Sequence, residues 1–181
     1  VDATFDEQQM KIGRRLAMKV LNASKFALSM GGEGVPADVD VAAVIEPADR
    51  AVLAGLADVV DEATASFDAY DHTRALELAE SCFWSFCDDY LELVKDRAYS
   101  DDPSARSARV ALNVAVDVFL RLLAPFIPYA TEEVWSWFRT GSVHRAAWPS
   151  SEPLRAAAAG ADAEILRVAG EALTALRKVK S

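Results

Sequence analysis

A chain of 181 residues with 52% hydrophobic and 26% charged side chains can bury one sizeable core and is too apolar to be disordered throughout. Its 19 basic and 28 acidic residues leave a net charge of −9. That excludes a protein that coats nucleic acid through its overall charge, so any RNA must meet a local basic patch. No apolar run approaches the ~20 residues of a membrane span. Val1–Phe5 lacks the charged-then-apolar order of a signal peptide, and a start at Val1 rather than Met is expected of a piece of a longer chain.

Long segments of 3.6-residue periodicity dominate, which predicts an all-α bundle of long, mostly antiparallel helices. The first helix is predicted from Asp6 to Met30, ending at Gly31-Gly32. A loop follows over Glu33–Ile45, with a weak strand signal at Val39-Asp40-Val41. The second helix starts near Pro47, a good first-turn residue, and runs to about Tyr70. Asp71 is a candidate N-cap for a third helix reaching Ala98, with Leu76, Ala79, Phe83, Phe86, Tyr90 and Val94 on one face.

Asp101-Asp102-Pro103 breaks the chain and starts a fourth helix. From Val110 to Leu123 it is apolar nearly all round, with Asn113, Asp117 and Arg121 as a narrow polar stripe, and is predicted to be central. Asp117 and Arg121 are expected to form an ordinary i,i+4 pair. Pro128 opens a shorter helix to Arg139, with Glu132 and Glu133 favoured near its N-terminus. Residues 140–160 read as irregular, and a last helix runs from Asp162 to Lys180 with nothing to cap it.

The residues also exclude chemistry. His72 and His144 have no Glu three residues before them, no His-x-x-x-His or Cys-x-x-Cys exists, and Gly31-Gly32-Glu33-Gly34 lacks a following Lys-Ser/Thr. No metal site and no phosphate-cradling loop is expected. Cys82 and Cys87, about 7.5 Å apart along a shared helix axis, cannot bridge; reduced thiols and a cytoplasmic home are the natural expectation. Trp84, Trp135 and Trp137 are expected in the core, His144 as a loop hydrogen-bonder and His72 as exposed.

Charge is segregated. Gln8–Gly32 carries Lys11, Arg14, Arg15, Lys19 and Lys25 and no acid, a local +5 that leaves −14 on the rest of a chain whose total is −9. At about 100° per residue, Lys11, Arg15, Lys19, Asn22 and Phe26 fall within an arc of roughly 80°, with Arg14 and Lys25 flanking it. Leu16, Val20, Ala23, Ala27 and Leu28 lie opposite, facing the bundle. Cations, an amide and a ring on one face suit single-stranded RNA: rings stack on splayed bases, Asn bonds base edges and Lys or Arg neutralises phosphates. The competing reading is a basic face paired with acids of neighbouring helices.

The segment Lys11-Ile12-Gly13-Arg14-Arg15-Leu16-Ala17-Met18-Lys19-Val20-Leu21-Asn22-Ala23-Ser24-Lys25-Phe26 resembles the first helix of the anticodon-binding domain of the valyl-tRNA synthetase family. Phe83-Trp84-Ser85-Phe86-Cys87-Asp88-Asp89-Tyr90-Leu91-Glu92 is similar to that family's Phe-Cys-Asp-Trp-Tyr-Leu-Glu helix, with Asp89 where the family often has Trp, a departure expected to alter helix packing. Pro125-Phe126-Ile127-Pro128-Tyr129-Ala130-Thr131-Glu132-Glu133-Val134-Trp135 resembles a segment shared by class I synthetases for valine, isoleucine and leucine, and Ser142-Val143-His144 with Ala147-Trp148-Pro149 fits the same group. The motifs cover most of the chain in the family's order.

The resemblance implies a module that recognises the anticodon loop of valine tRNA, with Lys19, Asn22 and Phe26 on anticodon bases. Lys11, Arg14, Arg15 and Lys25 are then expected on phosphates. It implies a helical anticodon-binding domain over residues 1–150, then a linker and truncated helix over 151–181. The family's ATP- and valine-binding motifs and its editing domain are absent, so the chain itself is expected to be inactive. ATP with magnesium belongs to a longer parent, whose catalytic domain is a partner in the same chain. Neither DNA nor a membrane is expected as a partner, and the chain is expected to be monomeric. The same module of an isoleucine or leucine enzyme is the near alternative, and a helical protein-interaction bundle the alternative of another class.

Overall fold

The computed structural model describes residues 6–30 and 41–180. The Gly31-Gly32 stop, the loop over residues 33–40 and most of the weak strand signal lie outside them. Its helices are α1 (Glu7–Ser29), α2 (Pro47–Asp68), α3 (His72–Ser85), α4 (Leu91–Tyr99), α5 (Ala105–Leu123), α6 (Pro128–Ser136), α7 (Glu152–Ala157) and α8 (Glu164–Lys180). No strand occurs among the described residues, and no helix there is long and apolar enough to cross a membrane.

The helix ends follow local chemistry. Asp6 caps α1 by accepting from the Gln8 N–H at 2.8 Å, and Asp71 caps α3 through the Arg74 N–H at 3.0 Å. Pro47 and Pro128 sit in the first turns of α2 and α6. After α2 the Tyr70 N–H bonds the Phe67 carbonyl and the Asp71 N–H bonds the Ser66 carbonyl, which is a Schellman end. It places Tyr70 at φ 61°, a conformation that favours glycine. Tyr70 is 92% exposed, so its ring packs on little. Tyr70→Gly is therefore expected to stabilise the chain by roughly 0.5–1 kcal/mol, after the greater freedom of glycine in the unfolded chain is subtracted; a thermal melt that falls instead would refute this.

The predicted third helix is continuous but not uniform. Between α3 and α4, Phe86–Tyr90 widens into a π-turn, closed by the Leu91 N–H on the Phe86 carbonyl. The wider turn lets Phe86, Cys87, Tyr90 and Leu91 all be buried while Asp88 and Asp89 point towards different neighbours. Phe83 and Phe86 pack against Phe119 of α5, with ring centroids 5.3 Å apart in both pairs.

α5 is the central helix, and its Leu112, Ala115, Leu120 and Leu123 are completely or almost completely buried. The polar stripe on it is not a solvent face. Asn113 is buried, and Asp117 is clamped by two guanidiniums, Arg121 one turn on and Arg139 beyond α6 at 3.0 Å. Arg121 also reaches the Ala147 carbonyl at 3.3 Å. The expected i,i+4 pair is thus part of a half-buried junction of α5, α6 and the 147 loop, because other elements cover α5 on all sides.

Two further expectations need correction. Residues 140–160 hold a 3₁₀ turn, Val143–Arg145, and α7. Six residues carry no readable period; α7 persists because Leu154 and Ala157 are buried and the helix packs on α2. Trp135 is in the core at 7% exposure, but Trp137 is 42% exposed and donates to Glu133 Oε1 at 3.0 Å. Residues two apart on a helix lie about 200° apart, so both indoles cannot face inwards.

Among the described residues, one charged group is completely buried. Asp49, in the first turn of α2, has 0% exposure. Arg97 of α4 grips it with two bonds, Nη2 to Oδ1 at 2.6 Å and Nη1 to Oδ2 at 2.9 Å. Tyr90 Oη donates to Oδ1 at 2.8 Å and Ser107 Oγ of α5 to Oδ2 at 2.6 Å. The Ser107 hydroxyl in turn accepts the Ile45 and Glu46 N–H groups at 3.0 and 3.1 Å, so one carboxylate joins α2, α4, α5 and the entry to α2. Asp49 holds the Arg97 guanidinium above its ordinary range, and burial beside that carboxylate raises the Tyr90 phenol well above its own.

Candidate nucleic-acid interface

α1 packs on α5 and α6 through Leu16, Val20, Ala23, Ala27 and Met30, all buried. The five basic residues lie outside that face, as the periodicity predicts. Lys11, Arg14, Arg15, Asn22 and Lys25 are exposed, and Lys19 and Phe26 are half-buried.

The structure divides the predicted arc. Lys11, Arg14, Asn22 and Lys25 have no ion pair or side-chain hydrogen bond among the described residues, and Met18 lies among them at 48% exposure. Arg14 and Lys25 thus belong to the open strip, with Arg14 at its edge and Met18 between Lys25 and Lys11 around the helix. The other half of the arc leans on the α3–α4 rod. The Arg15 guanidinium lies 5.0 Å and the Lys19 ammonium 5.6 Å from the Trp84 ring centroid. Lys19 Nζ donates to Asp88 Oδ1 at 3.1 Å. Trp84 is thus half-buried beneath the basic face, its indole N–H fixed on Glu80 Oε1 at 3.1 Å.

Phe26 sits edge-on to Tyr99 at the end of α4, centroids 5.7 Å apart, and packs against the core. Tyr99 is 64% exposed. The aromatic surface available at this end of α1 is therefore a Phe26–Tyr99 pair. Tyr99 was not legible as its second member, since it lies 73 positions further along the chain and only the α3–α4 fold returns it to α1. Trp84 and Asp88 were likewise invisible as partners of α1.

Elsewhere, His144 and Glu132 act structurally. His144 Nε2 bonds the Pro128 carbonyl at 3.2 Å, and His72 is exposed. Glu132 reaches past its own helix end to accept from Ser142 Oγ and the Val143 N–H, both at 2.9 Å. Burial pushes the thiols of Cys82 and Cys87 up to about 12, so neither is a nucleophile at neutral pH. Asp89 faces α8: its carboxylate comes within 3.3 Å of where a side chain on Gly170 would begin, and Arg177 lies 3.7 Å away. A groove of about 320 Å³ beside it is lined by Gly55, Cys82, Phe86 and Leu166. It lies between α2, the π-turn and α8, apart from the basic face.

A family model for the anticodon-binding domain of tRNA ligases matches residues 49–181. The chain is 60% identical over 183 residues to a valine–tRNA ligase of Thermobifida fusca, covering 99% of this chain and 20% of that protein. It is 53% identical over 200 residues to the valine–tRNA ligase of Bifidobacterium longum strain NCC 2705, covering 100% of this chain and 22% of the relative. The valine–tRNA ligase of Cutibacterium acnes is 50% identical over 185 residues, covering 100% and 20%. The chain thus spans about a fifth of the length of the relatives it matches.

Proposed function

We propose that this chain, which belongs to the anticodon-binding domain family of tRNA ligases, is the part of a valine–tRNA ligase that recognises the anticodon loop of valine tRNA. The observation that carries the reading is the open strip of α1. In a chain of net charge −9, one helix presents Lys11, Arg14, Lys25 and Asn22 to solvent, and no acid among the described residues neutralises these cations.

Such a strip attracts an RNA backbone through phosphate neutralisation, while its amide and aromatic neighbours address the bases. Lys11, Arg14 and Lys25 contact phosphates, with Arg15 held over Trp84 beside them. Asn22 and Lys19 contact base edges. A base stacks at the Phe26–Tyr99 pair rather than on a lone phenyl ring. The ATP- and magnesium-dependent joining of valine to tRNA belongs to the catalytic part of the longer protein, which acts with this module as a cytoplasmic monomer. This chain's contribution is recognition.

Titration with valine tRNA, and with the same tRNA carrying a changed anticodon, at two salt concentrations tests the reading. Binding that depends on the anticodon and weakens with salt supports it; equal binding of both tRNAs, or none at low salt, refutes it. Phe26→Ala is expected to weaken valine tRNA binding by about 1–3 kcal/mol. Because Phe26 is half-buried on Tyr99, a modest loss of thermal stability should accompany it. Tyr99→Ala should weaken binding in the same direction, and an unchanged affinity in both variants would remove the aromatic pair from the interface.

A further inference from the structure

We infer that the groove between α2, the π-turn and α8 is a binding site for a small amine, an ammonium group on a compact apolar body, with the ammonium seated on Asp89. The carrying observation is an apolar-walled groove of about 320 Å³ bordered by a carboxylate that accepts no hydrogen bond among the described residues. The site is separate from the basic face of α1 and does not depend on how that face is read.

The groove has the size and walls of a small-ligand pocket. Such pockets start at roughly 300 Å³ and are mostly apolar, with a few polar groups that fix orientation. At about 30 Å³ per heavy atom, the share of one molecule in liquid water, the 320 Å³ takes a body of roughly ten heavy atoms. Val52 and Gly55 of α2, Phe86 of the π-turn and Leu166 of α8 supply the apolar wall. Gly55 keeps the α2 side open, since nothing lies within 4 Å of where its side chain would begin.

The charged groups of the lining set the sign of the ligand. They are Asp89 and Arg167. Arg167 is committed, because its guanidinium donates to the Glu164 and Glu171 carboxylates on its own helix. Asp89 is not. Its side chain is 33% exposed, and its ion-pair partner, Arg177 Nη1, stands at 3.7 Å from Oδ1, beyond hydrogen-bond reach. The other polar groups of the lining include the Ser85 hydroxyl and the Cys82 thiol, which burial holds in its neutral form. A carboxylate beside apolar walls gains most from a charged N–H donor, and an ammonium carries three. An anionic ligand of the same shape would bring a second negative charge to Asp89 with no uncommitted cation in the lining to receive it.

The test titrates the chain with phenethylamine, which is of about this size, and with phenethyl alcohol and phenylacetate as its neutral and anionic counterparts. Binding is followed by NMR through the backbone amide shifts. The amine should shift the amides of Gly55, Phe86, Asp89 and Leu166 saturably and bind about tenfold more tightly than the alcohol, and phenylacetate should not bind. Asp89→Asn should lower the affinity for the amine to that for the alcohol. Gly55→Leu should remove the binding of both by filling the groove. Gly55 is an exposed position of α2 and leucine is the better helix former, so this variant should melt no lower than the unsubstituted chain. Asp89→Asn should melt close to it, because the pair with Arg177 is exposed and long. The inference is overturned by the absence of saturable shifts at millimolar amine, by amine binding that survives Gly55→Leu, or by phenylacetate binding as well as the amine. Equal affinity for amine and alcohol, or an amine affinity unchanged in Asp89→Asn, overturns the role of Asp89 and with it the ammonium.

Discussion

Asp49→Ala is expected to lower the stability of the chain by about 3–5 kcal/mol, the cost of removing one partner from a buried ion pair. For a chain of this size that is a fall of roughly 6–20 °C in Tm. The reason is geometric. The carboxylate is completely buried and accepts four hydrogen bonds, two from Arg97, one from Tyr90 and one from Ser107. Without it, Arg97 keeps one bond to the Ser104 carbonyl at 2.9 Å, but most of its donors, and those of Tyr90 and Ser107, face a small cavity. Asp49→Asn keeps the volume and removes the charge, so it should cost less than Asp49→Ala but remain clearly destabilising. A melt for Asp49→Ala within 2 °C of the unsubstituted chain would show that this network contributes little.

The second large effect concerns binding and leaves the fold alone. Replacing Lys11, Arg14 and Lys25 together with alanine should flatten the log–log salt dependence of valine tRNA binding by roughly 2, since each phosphate contact to a single strand contributes about 0.7. A fourfold rise in salt should then weaken the variant roughly 16-fold less than the unsubstituted chain. Thermal unfolding should barely change, because these side chains are exposed and make no described ion pair. An unaltered slope would mean that the open strip of α1 does not meet phosphates. A slope altered by only one third of this would reduce the contact to one residue.

These two predictions fall on opposite sides of what local sequence carries. The charge of α1 is a one-dimensional fact: five cations and no acid lie between Gln8 and Gly32, and helical periodicity alone turns Leu16, Val20, Ala23 and Ala27 away from them. The same argument reaches the cap at Asp71 and the helix starts near Asp6, Pro47 and Pro128, because a cap or a first-turn proline acts within four residues of itself. The core face of the third helix was legible for the same reason, from Ala79 through Val94.

Asp49 carries no such local signal. It reads as an ordinary acid in a helix first turn, and its partners lie 41, 48 and 58 residues away. The π-turn at Phe86–Tyr90 is equally silent, because widening one turn depends on what the neighbouring helices demand of Phe86, Tyr90 and Asp89. The resemblance likewise places Lys19, Asn22 and Phe26 on an RNA-facing helix, but which of them stands free is a question of neighbours. Lys19 is drawn onto Asp88 and Trp84 and Phe26 onto Tyr99, while Lys11, Arg14, Asn22 and Lys25 are left open.

The sequence by itself therefore determined that this protein is a helical bundle with one basic helix, because hydrophobic periodicity, capping and charge segregation are properties of short stretches. Only the tertiary structure decided which cations stay open, which ring pairs with Phe26 and which carboxylate holds the bundle together. Those outcomes depend on side chains brought within about 3–6 Å by the packing of α3, α4 and α5, and residues that distant along the chain meet only once the core has formed.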